Sequence, residues 1–286
     1  MNKINETELI LTKEKKIYHL NLRKEEIGDT IILVGDPSRV KMISKKFDRI
    51  EYKIKHREFT THTGELRKKK ISVISTGIGT DNIDIVMNEL DAIVNINFEK
   101  RKINKINKKL NIIRLGTSGG IQKDININTM IAAEYALGLD NLAHFYDRKD
   151  IFSEEISDAY TLYTKWPKTL SKPYAVQCSK LLLNKFPEIK RGITATASGF
   201  YAPQGRKLRL NTAINNLHRK MEQFSIKEKK ITNFEMECSA LYYLGKALGH
   251  NTLTICTILG NRLSGTYSKD ANNAVQQMID YVIDRL

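Results

Sequence analysis

The chain has 286 residues, enough to bury a large core as one domain or two, and 41% of them are apolar, as in an ordinary globular protein. Lys and Arg outnumber Asp and Glu by 47 to 32, a formal charge of +15, but the excess is scattered ("KEKK", "KKFDR", "RKKK", "EKRKINKINKK") with no aromatic-lined basic stripe, which argues against a dedicated nucleic-acid binder and leaves a basic RNA-binding protein as the rival of a different class. No run is apolar for long enough to span a bilayer, "MNKINETELILTKEKK" does not read as a secretory leader, and the 3 cysteines (Cys178, Cys238, Cys256) are too dispersed for a disulfide framework or metal cluster, so a reducing cytoplasm is the expected location.

In chain order, "TIILVG" (30–35) predicts a buried strand, and "SRVKMISKKF" predicts a helix with Val40, Ile43 and Phe47 on one side. "YKIKHREFTTHTGEL" and "KISVISTG" read as a pair of strands. The spacing of Ile83, Val86, Leu90 and Ile93 predicts a helix over "TDNIDIVMNELDAIV", capped by Thr80 or Asp81. Glu99 to Lys109 reads as an exposed loop or frayed helix end. "NIIRLGTSGG" is a strand running into a Gly-rich turn, "GITATAS" and "NTLTICTILG" are further strands, and "DANNAVQQMIDYVIDRL" is a terminal helix. In "TNFEMECSALYYLGKALGH", Glu235 and Glu237 stand at the mouth of a helix with apolar residues at Leu241, Leu244 and Leu248. Strands alternating with helices predict an α/β fold around a parallel or mixed sheet, with sites beyond the carboxyl ends of the strands.

Three strand ends suit an anion. "VGDPSRV" ends at Gly35 and offers Arg39 in the first turn of a helix, where backbone N–H groups also favour negative charge. "STGIGTDN" places Gly77 and Gly79 just before a helix, where glycine lets backbone approach a ligand closely. "RLGTSGG" sets Arg114 near the end of an apolar strand, where a guanidinium needs a partner, with the Thr117 hydroxyl close by; it lacks the Lys-Ser/Thr pair of a Walker A loop. The first two have a bland alternative as a turn; the third is the more informative. Together they favour a small phosphate or phosphorylated ligand.

"GDPSRV", "HREFTT", "STGIG", "RLGTSGGIQ", "ASGFYAPQGR" and "NFEMECSAL", in this order from about Tyr18 to Arg262, resemble the nucleoside phosphorylase family, most closely its pyrimidine-specific side. The resemblance implies a single phosphorylase domain over 1–286, an α/β phosphorylase/hydrolase-like three-layer fold with a central mixed, partly barrel-like sheet flanked by helices. It implies phosphate binding by Gly35, Arg39, Arg57, Arg114 and Thr117. It implies nucleoside binding by His19, Phe200, Gln204, Arg206, Glu235, Met236 and Glu237, with His19 and Arg57 given across a subunit interface. Arg114, Arg206 and Glu237 carry the catalysis. The expected reaction is phosphorolysis of a pyrimidine nucleoside, uridine foremost, in nucleoside salvage. Inorganic phosphate is co-substrate, no metal or organic cofactor takes part, and the partners are a nucleoside, phosphate and further copies of the chain in a hexamer built from dimers that share active sites. Purine or broad specificity is the alternative within the family, and a nucleosidase using water is the alternative within the fold.

Some departures bear on that expectation. Purine-specific relatives place an aspartate after the last strand, where this chain has Leu259, Gly260 and Asn261. Glu58, Ile78 and Asn82 match positions around a monovalent cation in some members, but Asn82 replaces a serine, so no metal is assigned. Ala202-Pro203 differs from the usual spacer before Gln204, and 147–173, with Trp166, reads only as a lid or an oligomer contact.

Overall fold

The apolar run after Thr30 has no polar face to offer water, and in the computed structural model, which describes residues 3–286, it is the buried strand β1 (Thr30–Val34). There follow α1 (Pro37–Ser44), β2 (Arg49–His56), β3 (Phe59–Leu66), β4 (Lys69–Ser75), α2 (Thr80–Asn95), β5 (Ile96–Asn97), β6 (Lys102–Ile103), β7 (Asn111–Gly120), β8 (Met130–Gly138) and α3 (Glu154–Thr164). The second half holds β9 (Tyr174–Gln177), α4 (Lys180–Leu183), β10 (Lys190–Thr196), α5 (Leu217–Gln223), β11 (Ser225–Ile226), β12 (Lys229–Glu235), α6 (Cys238–Leu248), β13 (Asn251–Asn261), β14 (Thr266–Tyr267) and α7 (Ala271–Ile283).

β7 is the hub. It pairs in parallel with β1 on one side and with β13 on the other. From β13 the sheet runs through β8 and β10 to β12, and β12 returns to β7 through Asn233–Gly120 and Phe234–Gly119. These pairings close a ring of five strands, the barrel-like part of a mixed sheet. From β1 the same sheet opens outward through β4, β3 and β2. Helix α6 lies on β8, β10 and β13 and packs against α2, while α1 covers β3 and β4 and α7 covers β7 and β13. Apolar stripes on these helices feed the main core, Val40 and Ile43 from α1 and Ile83, Val86 and Leu90 from α2 among them. A second cluster, with Tyr160, Ile193, Met221 and Phe234, fills the space under α3 and α5.

Several expectations change in detail. The span read as one strand over "YKIKHREFTTHTGEL" is a hairpin, β2 and β3, turned at Arg57 in the left-handed region (φ 53°). Helix α1 stops at Ser44, short of Phe47. Helix α2 is preceded at its N-cap by Gly79, rather than capped by Thr80 or Asp81. Gly119 and Gly120 form no turn: they continue β7, and a Cβ on Gly119 would lie 3.1 Å from the Phe234 ring where β12 closes on β7. Glu235 is the last residue of a strand, and the helix starts only at Cys238. The exposed loop expected at Glu99 to Lys109 is present, crossed by the short β5–β6 ladder. There Arg101 donates to the carbonyls of Ile4 and Asn5, each at 2.8 Å, and so ties down the preceding segment.

Candidate active site

Because β7 is flanked on both sides, Arg114 in its middle is 4% exposed. A buried guanidinium is tolerable only with partners. Arg114 has Glu235 at 3.3 Å on Nη1, a close ion pair with Glu237 on Nη2, and the Cys256 sulfur 3.8 Å from Nη1. Burial opposes its charge, but Glu237 and then Glu235 more than offset this, and its pKa is raised. Its Nε is buried without a hydrogen-bond partner.

The two glutamates take different posts. Glu235 accepts the Thr196 hydroxyl at 2.7 Å, the Glu237 N–H at 2.8 Å and the Cys238 N–H at 3.0 Å. It thereby supplies the first turn of α6 with the acceptor that the N-cap side chain, Glu237, does not supply. Burial pushes the Glu235 carboxyl up to about 7, the Glu237 charge adding to it against Arg114 and the hydrogen bonds. Released from capping, Glu237 accepts the Gly79 N–H at 2.9 Å and faces Arg114.

That N–H is in place because Gly77 and Gly79 adopt positive φ (73° and 103°), which side chains with a Cβ resist. The Gly77 N–H in turn donates to the Gly35 carbonyl at 3.1 Å, joining two of the glycine loops. Arg39 projects from the first turn of α1, whose start is fixed by Asp36 accepting the Ser38 N–H at 2.8 Å. It makes no ion pair among the described residues; burial, and then the charge of Arg114, lower its pKa. Two guanidinium groups thus lie close enough to feel one another beside Glu237, an arrangement that an oxyanion would relieve.

A cavity of about 600 Å³ opens from this cradle. Thr117, Met236, Glu235 and Glu237 line it together with Phe200, Gln204, Arg206, Arg262 and Phe234, whereas Gly35, Arg39 and Arg114 do not border it. The Ala202–Gln204 turn, closed by Gly205 in the left-handed region (φ 70°), presents Gln204 inward. Arg206 lies 3.7 Å over the Phe200 ring, donates to the Phe200 carbonyl at 2.5 Å and contacts the Gln204 side chain. Burial, and then the charge of Arg262, bring its pKa down to about 10. Arg262, which the sequence did not single out, donates to the Gln204 carbonyl at 2.7 Å and lies 5.3 Å from the Phe234 ring centre, which Arg206 approaches at 5.4 Å. Its only sequence signal is a cation in the Gly-flanked loop "GNRLSG".

The structure does not bring every expected residue here. His19 pairs with Glu89 at 2.7 Å, and Arg57 stacks on Tyr18 and donates to its hydroxyl at 3.1 Å; neither lines the cavity of its own chain. Glu58 and Asn82 flank Gly77. No residue of 147–173 lines the cavity; Ile156 and Tyr160 of α3 belong to the second core, and Trp166 packs against it.

A partly closed mixed sheet with a carboxylate-held guanidinium in its central strand and two more arginines lining the adjoining cavity defines an α/β enzyme built to hold an anion beside a larger ligand. The profile of the phosphorylase superfamily matches residues 29–285, and the chain belongs to that superfamily. Its kinship within it is with the nucleoside phosphorylases, which are pentosyltransferases. It is 30% identical over 258 residues to a uridine phosphorylase of Thermococcus kodakarensis, covering 90% of this chain and 82% of that one. It is 28% identical over 272 residues to a DeoD-type purine nucleoside phosphorylase of Alkaliphilus metalliredigens, covering 93% and 97%. Among solved structures, a Trypanosoma brucei nucleoside phosphorylase whose structure is described as showing uridine phosphorylase activity superposes with a TM-score of 0.86 at 26% identity, over 97% of this chain and 99% of the other.

Proposed function

We propose that the chain cleaves uridine by phosphorolysis, giving uracil and ribose 1-phosphate. The observation that carries this is a cavity lined both by Arg206 and Arg262 and by Glu235 and Glu237, the two carboxylates that hold Arg114, whose charge Arg39 in turn feels. In this reaction the bond from ribose C1′ to the base nitrogen breaks, the sugar becomes cation-like, and the departing uracil gathers negative charge. Phosphate held by Arg39, Arg114 and Thr117 stabilises the first and attacks C1′; Arg206 and the Gln204 amide stabilise the second; Glu237 accepts from the ribose hydroxyls. Inorganic phosphate is the co-substrate, and the chemistry asks for no metal or organic cofactor. The same reading gives the enzyme a place in cytoplasmic nucleoside salvage as a hexamer built from dimers.

The purine alternative is kept open by the DeoD-type relative. The base end of the cavity speaks against it. Leu259, Gly260 and Asn261 border it where a carboxylic acid would have to protonate a purine nitrogen. The Asn261 amide is consumed by the Gln122 and Ile125 carbonyls at 2.8 and 2.7 Å. A panel of uridine, thymidine, inosine and adenosine, each with and without phosphate, tests both points. Phosphate-dependent uracil release is the expected result. Release that ignores phosphate would make the protein a nucleosidase, and preferential inosine cleavage would refute the pyrimidine assignment.

A further inference from the structure

Glu235 and Glu237 flank the same guanidinium but are held very unequally. Glu235 is fixed by the Thr196 hydroxyl and by backbone N–H groups of Glu237 and Cys238, all at 3.0 Å or less, in addition to Arg114. Glu237 keeps the Gly79 N–H at 2.9 Å, a long contact from the Met236 N–H at 3.3 Å, and Arg114 itself. On Arg114, Nε and Nη2 form one edge of the guanidinium fork, the edge that a tetrahedral oxyanion takes in a two-point contact. Nε is the buried orphan, and Nη2 is the nitrogen that Glu237 holds. Phosphate and Glu237 therefore want the same donor and repel each other as like charges.

We propose that Glu237 is an exchangeable partner of Arg114: ribose hydroxyls draw it away from Nη2, pivoting on its Gly79 hydrogen bond, and so free the Nε–Nη2 edge for phosphate. This rests on reading the cavity as the seat of a nucleoside beside phosphate. Hydroxyl donors compensate Glu237 for the cation it gives up, while Glu235 keeps Arg114 from following it. The consequence is mutual: whatever factor a bound nucleoside adds to phosphate affinity, phosphate adds to nucleoside affinity. The same carboxylate would serve as ribose ligand and as gate of the anion site.

Calorimetric titration with inorganic phosphate reads this directly. The titration is done on the wild-type protein alone and again saturated with a pyrimidine C-nucleoside, whose carbon–carbon glycosidic bond resists phosphorolysis. Bound C-nucleoside is expected to tighten phosphate between about five- and 150-fold, the usual span of such coupling. Glu237→Gln keeps an acceptor for Gly79 but loses the charge. It is expected to bind phosphate more tightly than wild type without nucleoside, and to gain nothing further from it. Wild-type phosphate affinity that is unchanged or weakened by bound C-nucleoside would overturn the exchange, and so would undiminished coupling in Glu237→Gln. A C-nucleoside that fails to bind, beside a Glu237→Gln protein with tightened phosphate binding, would refute the pyrimidine reading while supporting the masking of Arg114 by Glu237.

Discussion

At the residue scale, the site works by assigning different duties to like groups. Arg114 is walled in by carboxylates, whereas Arg206 is half-buried against Phe200 and a second cation, Arg262. If Arg206 serves the leaving base, its loss removes one charge-assisted hydrogen bond of about 1.5–3 kcal/mol, and Arg206→Ala should lower kcat/KM for uridine roughly tenfold to a hundredfold. Steady-state kinetics with both substrates varied should show the KM for phosphate little changed; a loss confined to phosphate would place Arg206 in the wrong half of the cavity. Glu235 offers a thermodynamic test. Its folded pKa of about 7 lies above the ordinary 4.5, mainly through burial. Between those values the folded protein binds a proton that the unfolded chain releases. The group's contribution is therefore fully present below about pH 4.5 and is lost as pH rises through 7, by roughly 3 kcal/mol in all. Denaturant unfolding of wild type and Glu235→Gln from pH 5 to 8 should show wild type losing ground to the variant across that window; a difference that stays flat with pH would mean that Glu235 is ionised throughout.

Elements explain which parts of this were legible in the sequence. β1 is readable as an unbroken apolar run that stops at Gly35, and α2, β13 and α7 because their apolar residues follow the period of a helix or strand and end at Gly, Asp or Asn. The strand β8 is not, because its residues include Ala132, Ala133 and Ala136, small buried side chains that carry no strand signal of their own. β12 is hidden because "NFE" runs without a break into the helical pattern that follows it. Arg114 was legible as a site residue, since a cation inside an apolar strand demands an explanation. Arg262, in a polar loop, demands none, and only the folded contacts with Gln204 and Phe234 bring it forward. Close packing between elements is equally invisible in sequence. On β7 a Cβ at Gly116 would stand 2.2 Å from Arg114 Nη1 and 2.9 Å from the Cys256 sulfur. The guanidinium is the softer neighbour, so Gly116→Ala should displace it from its carboxylates. Overpacking of this kind costs about 1–3 kcal/mol of stability, and the KM for phosphate should rise more than that for uridine. Steady-state kinetics of the variant beside wild type check this; equal rises in both KM values would point to general loosening of the ring instead.

At the scale of the whole molecule, the residues that the resemblance assigns to a neighbour's site do lie together, away from their own cavity. Tyr18 and His19 meet edge to face at 4.9 Å, Arg57 donates to the Tyr18 hydroxyl at 3.1 Å, and His56 reaches the His19 carbonyl at 2.9 Å. The hairpin tip that carries Arg57 turns through left-handed backbone (φ 53°), as tight β-hairpins do. If that tip completes the phosphate cradle of a second protomer, Arg57→Ala and Arg114→Ala each inactivate a homo-oligomer but do so in different ways. In a mixed dimer the site that keeps its own Arg114 receives Arg57 from the other chain and is whole, while the remaining site lacks both. Random mixing after unfolding and refolding then makes half of the dimers mixed, each with one intact site of two, and uridine phosphorolysis should recover to about a quarter of the wild-type rate. Mixing without subunit exchange should give only the sum of the two residual activities. That same low sum after complete exchange would show that each chain builds its cradle alone, and the patch around Tyr18 and Arg57 would need another occupant.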